Sequence, residues 1–237
     1  MIGVIPAAGK GTRLGVPCKA LYPYQNRFLI EYAIHRMMWE GIEEIVIIHH
    51  GDDIPEMLGS IYQMALSSPS SIMEERVAKL YYIEQKERKG IAHAVSLVGP
   101  EFPHEDMMVI FADVLYFGYD LEKMKVSFDS SDRSLFGVKK LHGKWQQNLL
   151  RESYGFDSER IVEKPEEVES LRPYLGLGIY MFKPNVYNFI NSTKPGLNDE
   201  IQITDTLDLM YKADKISPYE LKGDYTNINY KKDLPKL

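Results

Sequence analysis

Two glycines, a threonine and three cations stand close together near the start of the chain, as Gly9, Lys10, Gly11, Thr12, Arg13 and Lys19. Small residues let backbone N–H groups approach oxygen atoms closely, and Lys and Arg add positive charge. The chemistry that this spacing serves is the holding of phosphate. The surroundings sharpen the point. No Asp or Glu precedes Glu31, whereas Lys10, Arg13, Lys19 and Arg27 all do, yet the 237-residue chain has 28 Lys+Arg against 34 Asp+Glu and a net charge of −6. An acidic chain with a basic opening lacks the broad basic face that captures nucleic-acid backbones. It suits a small anionic ligand held at one place.

Two common phosphate templates fit this opening poorly. A dinucleotide fingerprint, G-x-G-x-x-G, is met at Gly9 and Gly11 but finds Leu14 at its third position. A P-loop needs a glycine five residues before the Gly-Lys pair, where Val4 stands inside an apolar run. Other candidates lie further on. Asp113 follows the apolar run Met107–Phe111, and ligands of open α/β sheets gather at strand C-terminal ends; a loop-capping role is its plainer reading. Glu163-Lys164-Pro165 reads as a charged turn unless a substrate engages it. His49-His50 ends an apolar strand without a third metal ligand at suitable spacing. Lys10 reads as a solvated loop charge, His93 as structural and Cys18 as a small hydrophobe.

The elements that must position these residues follow from periodicity. Ile2–Pro6, Ile45–Ile48, Leu80–Ile83 and Met107–Phe111 read as strands, and Phe28–Trp39, Ile54–Leu66 and Ile91–Val98 as helices. Their alternation predicts βαβ units and a mainly parallel sheet. The second half is more mixed. Ser134–Leu141, Ser153–Glu163, Leu177–Phe182, Ile216–Leu221 and Tyr225–Asn229 are strand-like, and Asn185–Asn191 and Thr204–Lys212 helical. Without a repeat or a linker-like stretch, residues 1–237 read as one domain, a nucleotide-type half over about 1–115 and a mixed half over about 116–237. A single cysteine fits a reducing compartment. No apolar run approaches bilayer-spanning length, and the N-terminus does not read as a signal peptide. The expectation is a soluble, cytoplasmic protein that engages neither membrane nor nucleic acid.

Ala7-Ala8-Gly9-x-Gly11-Thr12-Arg13-Leu14, followed by Lys19-Ala20-Leu21, resembles the signature of the sugar-1-phosphate nucleotidyltransferases, the family of glucose-1-phosphate thymidylyl- and uridylyltransferases. Further blocks follow in family order: Gln85 with Gly90-Ile91-Ala92-His93-Ala94, Ile110-Phe111-Ala112-Asp113, Phe136-Gly137-Val138, Glu163-Lys164-Pro165, Gly178-Ile179-Tyr180 and Glu200–Asp205. Each block is short, and their order over residues 1–234 carries the resemblance. It implies a Rossmann-like nucleotidyltransferase fold whose central sheet is flanked by helices, with a mixed sugar-binding half. The implied reaction joins a nucleoside triphosphate, dTTP or UTP, to a sugar-1-phosphate with release of pyrophosphate. The resemblance places Ala7, Ala8, Gly9, Gly11, Thr12, Gln85 and Gly90 at the nucleotide and Gly137, Glu163 and Gly178 at the sugar. Arg13, Lys19, Asp113 and Lys164 take the catalytic roles, with Arg13 at the leaving pyrophosphate, Lys19 near the α-phosphate and Lys164 at the incoming phosphate. Asp113 is the implied ligand of Mg²⁺.

The chain also departs from the family pattern. The late Asp expected as a second Mg²⁺ ligand aligns with Asn227, which offers an amide oxygen without charge, or shifts to Asp224. His142–Glu152 reads as an insertion, which leaves the sugar open. A Gln can both donate and accept, so Gln85 suits the imide edge of thymine or uracil and can also flip toward cytosine. The short Gly15–Lys19 stretch leans toward the alternative of a cytidylyltransferase acting on phosphocholine or a polyol phosphate. A regulatory protein that binds a nucleotide sugar without turnover is the non-enzyme rival. The chain ends soon after Tyr230, so the tetramer of longer thymidylyltransferases is not implied, and a homodimer is compatible with the sequence.

Overall fold

The structure is a computed structural model that describes residues 1–51, 53–67, 73–118, 120–143, 146, 148–196 and 199–235. Along the chain lie β1 (Ile2–Pro6), β2 (Pro23–Tyr24), β3 (Arg27–Phe28), α1 (Leu29–Trp39), β4 (Glu44–His49), α2 (Asp53–Leu58), β5 (Ile61–Ser67), β6 (Met73–Glu84), α3 (Ile91–Ser96) and β7 (Met107–Ile110). They are followed by β8 (Val114–Phe117), α4 (Leu121–Asp129), β9 (Ser134–Lys140), β10 (Tyr154–Phe156), β11 (Ile161–Glu163), β12 (Tyr174–Phe182), α5 (Val186–Ser192), α6 (Ile203–Lys212), β13 (Ile216–Glu220) and β14 (Asp224–Asn227). Two compact units result, one of residues 1–87, 108–116 and 224–237, the other of 88–107 and 117–223.

In the first unit the strands run in the order β7-β1-β4-β6-β5. β1 pairs parallel with β4 from Gly3↔Ile45 to Pro6↔Ile48, and β4 pairs parallel with β6 from Glu44↔Lys79 to His49↔Glu84. Continuous apolar runs suit such strands, because both faces of a parallel sheet are covered. Ile45–Ile48 is fully buried, as are Leu29, Ile30, Ala33, Ile34 and Met37 on one face of α1. Parallel pairing brings the C-terminal ends of β1, β4 and β6 to one edge of the sheet, which is where Ala7 and Gln85 emerge. Ala7 N–H donates to Ile48 O at 2.7 Å and Gln85 N–H to His49 O at 2.8 Å.

The expected helix over Ile54–Leu66 is corrected by the structure. α2 stops at Leu58, Gly59 turns the chain with a φ of 68°, and β5 then pairs antiparallel with β6 from Ile61↔Lys79 to Ser67↔Met73. Tyr62 and Met64 alternate with the exposed Ile61 and Gln63, a period of two that a helical reading merges with the turns of α2. β6 begins at Met73, seven residues before the expected Leu80, and apart from Ser153–Glu163 the other predicted elements differ from the observed ones by a few residues at their ends. α4 went unread, although Leu121, Met124 and Phe128 lie at helical spacing and are fully buried.

In the second unit β9 pairs parallel with β13 and antiparallel with β12. The stretch read as one strand over Ser153–Glu163 is the hairpin β10–β11, paired from Tyr154↔Glu163 to Phe156↔Ile161. Its turn is built by Asp157, whose Oδ1 accepts from the N–H groups of Glu159 at 2.7 Å and Arg160 at 2.9 Å. Such a side-chain bond offers the backbone an alternative to continuing the ladder. The class is α/β, as expected, with mainly parallel pairing in the first unit and mixed pairing in the second.

Candidate active site

The loop after β1 is a tightly closed structure. Leu14 N–H and Val16 N–H both donate to Gly11 O, at 3.0 and 3.1 Å, and Thr12–Leu14 makes a single helical turn that Gly15 ends in the left-handed region. Lys10 and Cys18 then face each other as an antiparallel pair. A Cβ at Gly11 would lie 2.4 Å from Val16 O and 3.0 Å from Lys19 N, so only glycine fits there. At Gly9 the space is open, since an added Cβ meets nothing within 4 Å. Gly11 is therefore demanded by the protein itself, whereas Gly9 leaves room at its surface for something else.

Leu14 is buried and anchors the loop in a cluster with Tyr24, Leu29, Leu115 and Ile228. This cluster joins segments far apart in sequence, because Leu115 follows Asp113 by two residues and Ile228 precedes Asn229. The backbone adds a tie, with Ile228 N–H donating to Asp113 O at 2.9 Å. Apolar packing of the neighbours thus sets the polar side chains together. Lys19 Nζ pairs with Asp113 Oδ2 and donates to Asn229 Oδ1 at 3.0 Å. Lys10, Gly11, Thr12, Arg13, Leu14, Lys19 and Asn229 line one small cleft. The Arg13 guanidinium carbon lies 5.9 Å from the centre of the Tyr230 ring, which the Lys232 ammonium also approaches at 5.2 Å.

Of the residues singled out from the sequence, Gly11, Thr12, Arg13 and Lys19 share this cleft, and Asp113 joins them through Lys19. Gln85 is buried at the end of β6, where its carbonyl oxygen bonds His50 Nδ1 at 3.0 Å. Asn227, the expected second metal ligand, ends β14 with its carboxamide oxygen buried and without a hydrogen-bond partner among the described residues. The residue that meets Lys19 is Asn229, which the sequence reading missed; its spacing gave no signal, since the contact spans 210 positions. Asp224, the other option, is exposed.

A second cluster lies in the second unit. Gly90 has a φ of 93°, and a Cβ there would lie 2.5 Å from Ile201 O. Around it Ile201 N–H donates to Lys89 O at 2.8 Å and Ala92 N–H to Ile201 O at 3.1 Å, so the block after Glu200 is stitched to the start of α3. Thr204, at the start of α6, donates to Glu163 Oε2 at 2.6 Å. Burial pushes the Glu163 carboxyl above its ordinary range, while the Thr204 bond and the Lys164 ammonium, 3.8 Å from Oε1, pull it back. Burial, with Asp208 nearby, likewise raises Asp205. Lys164 holds a φ of 43°, unusual for a residue with a side chain, and its N–H donates to Ser153 O at 2.7 Å. Such strain persists only where the surroundings enforce it. Gly137 in β9 packs against Leu221, and Gly178 is buried in β12. Of the His142–Glu152 insertion, Asn148–Glu152 forms a short helical turn, and residues 144, 145 and 147 lie outside the described residues.

Known proteins resemble this chain over nearly its whole length. UTP–glucose-1-phosphate uridylyltransferase 1 of Staphylococcus saprophyticus is 24% identical, with 96% of this chain and 88% of that protein aligned. The corresponding enzyme of Staphylococcus haemolyticus is 23% identical, with 96% and 87% aligned. Among solved structures, a UDP-glucose pyrophosphorylase complexed with UDP-glucose superposes with a TM-score of 0.81 at 24% identity, over 99% of this chain and 96% of that one. A putative glucose-1-phosphate thymidylyltransferase from Bacillus anthracis gives 0.79 at 24% identity, over 99% and 92%. These superpositions establish the fold. The sequence model of the family described as Nucleotidyl transferase matches residues 2–225, nearly the whole chain, and the protein belongs to that family.

Proposed function

We propose that the protein transfers a nucleotidyl group from UTP or dTTP to a sugar-1-phosphate, giving a nucleotide sugar and pyrophosphate. The observation that carries this reading is the cleft in which Gly11, Thr12, Arg13 and Lys19 meet, with Asp113 and Asn229 tied to Lys19. In the reaction a phosphate oxygen of the sugar-1-phosphate bonds to the α-phosphorus, and the α-phosphorus–oxygen bond to the β-phosphate breaks. The electron pair leaves with pyrophosphate. Both reactants are polyanions, so positioning and neutralisation of charge are what the protein must supply. Arg13 presents a planar donor fork to the leaving pyrophosphate, and Lys19 a point charge near the α-phosphate. Lys164 holds the incoming phosphate, and Glu163 accepts from sugar hydroxyls. The relatives named for UTP and glucose-1-phosphate support UTP as the donor.

The donor set near Lys19 fits Mg²⁺ in one way. Asp113 offers a carboxylate and Asn229 a neutral oxygen, and among the described residues no group of three or more acidic, His or Cys side chains is placed to hold a metal. Mg²⁺ commonly binds through one or two carboxylates and completes its shell with substrate phosphates and water. Asp113, with Asn229, would hold it there, and bound Mg²⁺ would supply further neutralisation of triphosphate charge. To test the function, the protein is incubated with UTP, dTTP or CTP, Mg²⁺ and a panel of sugar-1-phosphates and alcohol phosphates, and pyrophosphate is measured. Release with UTP or dTTP and a hexose-1-phosphate is the expected result. Release only with CTP and an alcohol phosphate would overturn the donor and acceptor assignment, and nucleotide binding without any release would overturn catalysis.

A further inference from the structure

Lys19 has two oxygen partners and little exposure. Its ammonium lies between Asp113 Oδ2 and Asn229 Oδ1, and the Lys19 and Asp113 side chains are only 17% and 23% exposed. These are the same two oxygens that would face a divalent cation. Within this trio of one ammonium, one carboxylate and one neutral amide the charge sums to zero, and Lys10 and Arg13 add positive charge to the same cleft. A dication arriving alone must displace the ammonium from a half-buried carboxylate and gains only a neutral oxygen besides. Breaking such a pair costs more than breaking an exposed one, because the displaced charge has no ready partner. A triphosphate changes both terms, since its oxygens give the metal anionic ligands and give Lys19 a new partner.

We propose that Lys19 is the resident cation of the Asp113–Asn229 oxygen pair, and that a divalent metal reaches these oxygens only together with a nucleoside triphosphate. The inference rests on the nucleotidyl-transfer reading for the identity of the triphosphate, but the resident-cation half rests on the three side chains alone. The neutral residue Asn229 is then a control element. A carboxylate at that position leaves the trio with a net negative charge and lets metal bind without nucleotide. Removing the ammonium has the same consequence by the opposite route.

The test is direct titration of the full chain with Mn²⁺, read by the loss of the free-ion electron paramagnetic resonance signal, with and without UTP. Without UTP, the wild type should bind no more Mn²⁺ than Asp113→Asn. Asn229→Asp and Lys19→Met should each bind Mn²⁺ about tenfold or more tightly than the wild type under those conditions, a modest effect for one unit of charge within a few ångströms of a dication. With UTP, the wild type should retain Mn²⁺ beyond what UTP alone holds, and Asp113→Asn should lose that excess. Thermal melting identifies any variant that is not folded, and either of the two gain-of-binding variants suffices for the test. Nucleotide-free binding by the wild type as tight as that of Asn229→Asp, or no gain in the folded variants, overturns the proposal. If UTP does not bind at all, the triphosphate half fails along with the functional reading, while the nucleotide-free titration still decides whether Lys19 is the resident cation.

Discussion

Gly11 offers a sharp test of the loop, because the structure states what an added methyl group would strike. In Gly11→Ala the new Cβ would lie 2.4 Å from Val16 O, 2.6 Å from Val16 Cγ2 and 3.0 Å from Lys19 N. Two of these three atoms are backbone and cannot rotate aside. Ordinary contact distances lie near 3.5 Å, so the segment from Gly11 to Lys19 must open by about 1 Å. Overpacking of this kind costs about 1–3 kcal/mol of stability. The larger effect falls on chemistry, because Lys19 is attached to the segment that moves, and a misplacement of about 1 Å costs on the order of 100-fold in rate.

Urea unfolding and steady-state pyrophosphate release measure the two effects separately. Gly9→Ala is the matched comparison, since its Cβ enters open space. It should leave stability unchanged and raise the KM for the nucleotide if phosphate oxygens come close to that backbone. Gly11→Ala should lose both stability and kcat. Equal stability and equal turnover in the two variants would refute the view that loop closure positions Lys19.

Three further outcomes follow from the same geometry. Arg13→Ala should lower turnover by about 10²–10³-fold without changing the unfolding midpoint; near-normal turnover removes Arg13 from the mechanism. Thr204→Val removes a bond that holds the Glu163 carboxyl down against burial, so its pKa should rise further and the acidic limb of the pH profile for sugar-1-phosphate kcat/KM should move to higher pH; an unmoved limb, in a folded variant, shows that Glu163 does not act as the ionised acceptor. Burial, with a smaller contribution from Arg27, lowers the His35 imidazole from 6.5 to about 4, so the folded chain keeps it neutral while the unfolded chain takes up a proton below pH 6.5. Stability should therefore fall as pH drops from 6.5 to about 4, and His35→Gln should flatten that slope in urea titrations.

The parts of the site legible in the sequence are those whose chemistry is written in one continuous stretch. Gly9 to Lys19 could be read because the demands on it are local: small residues for close approach, cations for charge, and a glycine where Val16 folds back. The strand ends that position Ala7, Gln85 and Asp113 were legible because buried parallel strands carry continuous apolar runs. α2 and β5 merged because Gly59 separates two elements whose apolar residues happen to continue at helical spacing. The hairpin at Glu163 was compressed into one strand because its turn is made by Asp157 bonding its own neighbours, which adds no glycine or proline to mark the break. The Thr204–Glu163 bond joins two blocks that were read separately, and only the packing of α6 against β11 brings them together.

Asn229 was not legible, and the reason is geometric. Ile228 is fully buried in the cluster under the loop and donates its N–H to Asp113 O, so it is the fixed point of this segment. In a continuing strand, Asn227 and Asn229 would flank it on one face and share one environment. The strand stops at Asn227 instead. Asp233 Oδ2 accepts from the N–H groups of Asn229 at 2.9 Å and Tyr230 at 2.7 Å, and Asp233 N–H returns a bond to Tyr230 O at 3.0 Å. This turn sets Asn229 Oδ1 against Lys19, while Asn227 Oδ1 is buried without a hydrogen-bond partner among the described residues. A family pattern aligned by spacing selects Asn227 at the strand end, and the turn capped by Asp233 adds Asn229, which reaches Lys19. The neutral oxygen at the Lys19–Asp113 pair thus depends on Asp233, which touches neither partner.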